Sequence, residues 1–149
     1  MENFEKIKEE IRTHVCRAKR LDNGEWVYGS LILSGDTNEG WEAIIIPVIN
    51  SHMVHNPDSN DLRFGAWFQV DPKTICHCVE KLCDEYVWEN DIVSGSYYEG
   101  GRKYKHIGQV NYVGSAYVVV GINQYEGRHE ELTGLYSVIG NIFDNPELL

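Results

Sequence analysis

The sequence predicts a mainly β protein with a short N-terminal helix, and three observations carry that expectation. Tyr (9) and Trp (4) are plentiful in a chain that is 42% apolar, a composition that suits a folded domain rich in strands. From Val15 onward, short apolar runs are separated by turn residues at close spacing, the pattern of a small barrel or a pair of packed sheets. Helical spacing occurs once, where Phe4, Ile7, Ile11 and Val15 recur with Glu and Lys between them. A length of 149 residues fits one domain spanning 1–149, with lobes expected at 14–75 and 86–149.

Taken in order, the helix is expected over Asn3–Thr13, capped by Asn3; Lys6 stands where a capping box wants Glu or Gln. VCRAKRL and EWVYGSLIL then flank Asp22-Asn23-Gly24 as a hairpin, since Asn-Gly tolerates positive φ at both turn positions. Alternation places Trp26 and Tyr28 on one face and Val27 on the other. Trp41–Ile49 reads as a strand buried on both faces, with Pro47 assigning it to an edge or a bulge. Ser51–Arg63 reads as an exposed polar loop, Arg63–Val70 as a strand and Asp71-Pro72 as a turn. The stretch Thr74–Glu85 fits either a helical turn or a short strand followed by a loop. Asp91–Tyr98 reads as a strand, and Glu99-Gly100-Gly101-Arg102-Lys103 as a turn. HIGQVNYV and AYVVVGINQ flank Gly114-Ser115 as a second hairpin. A charged loop over Glu126–Glu131 and a last strand over Leu135–Phe143 complete the chain. Gly140 is expected at a bulge or close backbone approach. Asn145 is expected as the N-cap and Pro146 as N1 of a final turn. Leu148 and Leu149 would fold back to close the core.

The charge balance narrows the partners. Thirteen Lys+Arg against 23 Asp+Glu give a net charge of −10, which disfavours a non-specific nucleic-acid coat and an anionic membrane surface. The opening MENFEKIKEE lacks the apolar core of a secretory signal. AIIIPVI is too short to span a bilayer. The expected location is the cytoplasm, where Cys16, Cys76, Cys78 and Cys83 are thiols.

Catalytic motifs are absent from the sequence: no Walker loop, no G-x-G-x-x-G, no H-E-x-x-H and no G-x-S-x-G. The weak metal candidates are Cys76, His77, Cys78 and Cys83, with His52 and His55 able to add ligands. Their C-x-C-x4-C spacing is not that of paired C-x-x-C units, and on a strand His77 would face away from both neighbouring cysteines. No cofactor is therefore expected. A nucleophilic role for Cys83 or Cys16 needs a base such as His129 or His106, and inert thiols are the simpler reading. Carboxylate pairs such as Asp58/Asp61, Asp84/Glu85 and Glu130/Glu131 read as solvated loop charges. The weak interaction candidates are Arg102, Lys103, Tyr104 and Lys105, a basic and aromatic patch at a loop.

Three segments resemble the YopX family of phage and prophage proteins. CRAKRLDNGEWVYGSL (Cys16–Leu31) is similar to the family's R-x-K-R, D-N-G, W-x-Y-G opening. VDPKTICHCVEKLCDEYVWENDIV (Val70–Val93) resembles its D-P-x-T and E-x-D-I-V landmarks, with His77 in place of Gln and Val79-Glu80 in place of Thr-Gly. VIGNIFDNPELL (Val138–Leu149) is similar to its terminal I-G-N-I-x-[ED]-N-P-E-L-L. The resemblance spans Cys16 to Leu149. It implies a mostly β phage or prophage protein, with Asp91–Phe143 curling into an SH3-like barrel. It implies no activity, and the family positions matching the cysteines are not a set of metal ligands. The resulting expectation is a non-enzymatic accessory protein that binds a host or phage protein. The alternatives are a nucleic-acid adaptor using an aromatic β face, and a structural zinc protein. An exposed edge strand also suggests a homo-oligomer.

Overall fold

The computed structural model describes residues 15–34, 40–47, 53–55, 62–64, 66–82 and 85–149, with 53–55 and 62–64 described as backbone. The helix expected over Asn3–Thr13 and the candidate ligand Cys83 lie outside the described residues. The chain folds as two compact units, Met1–His77 and Cys78–Leu149. Every described strand pairing is antiparallel, so the protein is mainly β, as expected. Among the described residues, no helix is long and apolar enough to cross a membrane.

In the first unit, β1 (Cys16–Lys19) and β2 (Trp26–Leu33) form the predicted hairpin, with Ala18 opposite Val27 and Lys19 opposite Trp26. That phase sends Cys16, Ala18 and Val27 into the core with Ala43, Ile45 and Val70. Arg17 and Lys19 reach the other face, where their cationic ends lie 4.4 and 5.4 Å from the Trp26 ring centre. The turn is wider than expected. Only Gly24 has positive φ (72°); Arg20 N–H donates to Glu25 O at 2.9 Å, while the Asn23 side chain accepts from Glu25 N–H at 2.9 Å. Asn23 therefore shapes the turn through its side chain.

β3 (Ala43–Pro47) is a buried strand, with Ile45 0% exposed. It lies between β2 and a short strand, Phe68–Gln69, which corrects the edge position expected from Pro47. Pro47 ends the strand beyond the last pair on that side, Ile44 with Gln69, and Ile45 with Phe68, so that ladder loses no donor. Within the expected polar loop, β4 (Met53–His55) pairs β5 (Leu62–Phe64). β6 is the Phe68–Gln69 strand. Asp71-Pro72 opens a 3-10 turn over Pro72–Thr74. The Thr74 hydroxyl there donates to Asp71 O and accepts from Lys19 N–H, both at 2.8 Å.

The stretch that sequence left ambiguous is a strand pair, β7 (Cys76–Leu82) and β8 (Glu85–Trp88). The second unit continues with β9 (Asp91–Glu99), β10 (Arg102–Val113), β11 (Ala116–Gly121), β12 (His129–Glu131) and β13 (Ser137–Asn141). Their order is β12-β11-β10-β9-β13, so the last strand returns beside the first. Val93, Val110 and Val119, each 0% exposed, form the centre of a core completed by Leu82, Val87, Leu132 and Tyr136.

Three expectations change in this unit. Residues 129–131 of the expected charged loop form β12. The SH3-like barrel is not closed: among the described residues β12 pairs only β11 and β13 only β9, which leaves both outer strands as edges. At the C-terminus, Asn145 and Pro146 take the expected N-cap and first positions of a 3-10 turn over Pro146–Leu148, but no side chain caps it. The Asn145 side chain instead accepts from Asn141 N–H at 3.1 Å. Leu148 is half-buried, but Leu149 is 54% exposed, so one leucine of the pair packs and the other faces solvent.

Candidate interaction surface on the β9–β10 hairpin

The site starts from a turn. Gly100 and Gly101 have φ of 57° and 77°, the two positive values that a two-residue hairpin turn of the favoured twist demands. Arg102 and Lys103 therefore belong to β10 and not to the turn. The patch expected at a loop lies on a strand.

Pairing of β9 with β13 reaches only Ser94, and pairing of β10 with β11 begins only at Gly108. Residues 95–99 and 102–107 consequently continue past their outer neighbours as a ribbon in the register Gly95↔His106 through Glu99↔Arg102. Alternation divides the ribbon into two faces. Tyr98, Lys103 and Lys105 share one face; Tyr97, Glu99, Arg102, Tyr104 and His106 share the other.

The second face is anchored by buried polar groups. His106 is 1% exposed. Its Nε2 lies 3.1 Å from Arg128 O, and its Nδ1 lies 2.9 Å from the Tyr136 hydroxyl. A carbonyl only accepts, so Nε2 carries the proton and Nδ1 accepts from the Tyr136 O–H. Burial holds the His106 pKa below the ordinary histidine range and pushes that of Tyr136 up to about 12. Both groups are therefore neutral at pH 7. Gly95 makes room for this arrangement. A Cβ there would lie 2.5 Å from Cδ1 of Tyr136 and 2.6 Å from Leu135 O.

Above this layer, Tyr97 and Tyr104 stack with ring centres 5.4 Å apart and planes 18° from parallel. The Arg128 guanidinium sits 4.0 Å from the Tyr97 ring centre. Arg128 also bonds Glu130 through Nε at 2.6 Å and approaches Glu99 at 3.4 Å. Glu99 faces Arg102 in the register but is engaged by Arg128. Among the described residues, the side chains of Arg102, Lys103 and Lys105 have no hydrogen bond or ion pair. All three are exposed, as are Tyr98 (61%) and Tyr104 (39%). The structure divides the four interaction candidates between two faces of the ribbon, Arg102 and Tyr104 on one, Lys103 and Lys105 on the other, where Tyr98 joins them.

The metal candidates are not assembled in this way. Cys76 and Cys78 are buried on one face of β7, at 0% and 6% exposure, and His77 is exposed on the opposite face. The Cys76 thiol donates to Thr74 O at 3.3 Å. Among the described residues, no group of three His, Cys, Asp or Glu side chains is arranged to hold a metal ion.

Sequence reasoning missed Gly95, Arg128 and Tyr136. Two signals were present. His106 is in phase with Gly108 and Val110, the core face of β10, and a lone Gly95 within a strand marks a close approach. Arg128 comes from the far side of β11 and left no local trace.

No protein-family model matches the chain, and no curated protein matches it. Among solved structures, the chain is similar to the crystal structure of protein EF1440 from Enterococcus faecalis, at 18% identity and a TM-score of 0.53. The similarity covers 90% of this chain and 96% of that one. It concerns the fold alone.

Proposed function

We propose that this chain is a YopX-like phage or prophage accessory protein that acts without catalysis, in the bacterial cytoplasm, through a protein–protein surface. The observation that carries the reading is the hairpin end. Exposed tyrosines and unpaired cations, residue types over-represented at binding hot spots in the case of Tyr and Arg, project there from a rigid base. His106 and Tyr136, the buried titratable pair beneath it, are committed to each other and to a backbone carbonyl. In this reading they are structural support. The family assignment rests on the three segments quoted above, and the SH3-like reading of the second unit rests on the last strand lying beside the first. The test is affinity capture with the full chain from prophage-bearing cells, together with a broad substrate screen. A partner retained specifically by the folded chain is expected. Repeated capture of none, with turnover of some substrate, overturns the proposal.

A nucleic-acid adaptor is the second reading, favoured by exposed Tyr98 and Tyr104 beside three cations, since tyrosine rings can stack bases. Absence of oligonucleotide binding even at low salt ends it.

A further inference from the structure

The cations of the hairpin are an island. Residues 78–149 contain five Lys and Arg against eleven Asp and Glu, and three of the five lie between positions 102 and 105. Like charges held so close repel one another, and none of the three forms an ion pair with a carboxylate among the described residues, although Glu99 stands opposite Arg102 and Glu147 lines a cavity with Lys105. Arg128, the remaining nearby cation, is paired with Glu130 and approached by Glu99.

From this geometry we infer that the β9–β10 hairpin end docks an acidic segment of a partner protein. On one face Lys103 and Lys105 pair with its carboxylates beside Tyr98, and the segment passes round the hairpin to Arg102 and Tyr104 on the other. The inference rests on the protein-interaction reading and names the chemistry of the partner. Tyr98 stands directly opposite Lys103 in the register, so an apolar contact and a charge contact lie side by side on one face. On the other face Arg102 stands two residues before Tyr104, whose ring is already held by Tyr97. A held ring loses little freedom on binding.

Charge complementarity selects among occupants. A second copy meeting it through the same hairpin would bring the same cations against it. A nucleic acid would gain at most three phosphate contacts, giving a log–log salt slope of only about −3, and its continuing backbone would run over a unit dominated by acids. A short acidic segment places carboxylates only where cations await them.

The experiment measures binding of three labelled probes to the full chain at low salt: a short Glu/Asp-rich peptide containing one Tyr, its Gln/Asn counterpart, and a short oligothymidylate. The proteins are wild type, the triple variant R102A/K103A/K105A, the milder K103Q/K105Q, and a control, K73A, in the first unit. The acidic peptide is expected to bind wild type and K73A alike. It should bind the triple variant roughly tenfold more weakly and K103Q/K105Q by an intermediate amount. The neutral peptide should not bind. Equal affinity of the acidic peptide for wild type and K103Q/K105Q overturns the inference, and so does tighter binding of the oligothymidylate or no binding of the acidic peptide. The milder variant decides the matter where the triple variant does not fold. A cellular partner captured equally by wild type and K103Q/K105Q removes the hairpin inference and leaves the protein-interaction reading standing. Repeated capture of no partner by wild type, with turnover of some substrate, removes both.

Discussion

Replacing Gly95 with Ala tests the base of the hairpin. The added methyl would sit 2.5 Å from Cδ1 and 2.7 Å from Cγ of the Tyr136 ring, and 2.6 Å from Leu135 O. Cβ contacts this short do not survive, so the ring or the strand must move. Overpacking of this kind costs about 1–3 kcal/mol. Moving the Tyr136 ring also takes its hydroxyl from His106 Nδ1, now 2.9 Å away, which adds about 1–3 kcal/mol for a buried acceptor left unsatisfied. The sum is roughly 2–6 kcal/mol. At roughly 4–8 °C per kcal/mol for a unit of under a hundred residues, the melting temperature should fall by at least ~8 °C. Differential scanning calorimetry on both proteins measures this. The double variant G95A/Y136A separates the ring contact from the contact with Leu135 O: the cost of G95A should drop by at least ~1 kcal/mol when Tyr136 is already truncated. A G95A protein that melts within ~2 °C of wild type, or strict additivity with Y136A, refutes the packing argument.

Further predictions follow from the same region and from the chain end. Because His106 is held neutral in the folded state, the unfolded chain takes up a proton that the folded one refuses below about pH 6.5. Stability should therefore fall as pH drops through that value toward the lower folded pKa, and urea midpoints of H106Q should show a weaker acid dependence than wild type. Tyr136, with a pKa pushed up to about 12, contributes stability that is full below about pH 10 and lost as pH rises from there through 12. Its tyrosinate absorbance should appear late in an alkaline titration, and Y136F should remove that late step. L148A should cost about 1 kcal/mol, because Leu148 lines a cavity with Ile107, Ile122 and Ile139. L149A should change denaturation midpoints by less than ~0.5 kcal/mol, because that side chain is 54% exposed.

Much of the fold was legible because local rules determine it. Alternation in WVYG separated Val27 from Trp26 and Tyr28, and of the three only Val27 joins the core. The Gly114-Ser115 hairpin also has the strands that the pattern predicted, Val113 meeting Ala116 across the turn. The errors arose where tertiary context decides. Polarity made His129-Glu130-Glu131 look like a loop, yet the backbone of Val118, Val119 and Val120 pairs with these residues. Asn145 takes the expected N-cap position, but its side chain accepts from Asn141 N–H and not from the turn it opens. For the site, the basic and aromatic composition of 102–105 was visible. What was not visible is that Glu99, its nearest acid across the turn, is drawn to Arg128, 29 residues away in the chain. That long-range choice leaves Arg102 without an ion pair to Glu99, and a single sequence carries no record of it.

The central claim is that the β9–β10 hairpin end is the surface this protein uses. Titrating the isotope-labelled full chain with the Glu/Asp-rich peptide, and following backbone amide shifts, tests it most directly. The account predicts saturable shifts concentrated at residues 97–105, absent with the Gln/Asn peptide. Saturable shifts that leave this ribbon unchanged and cluster elsewhere, such as around exposed Trp67 in the first unit, would contradict it.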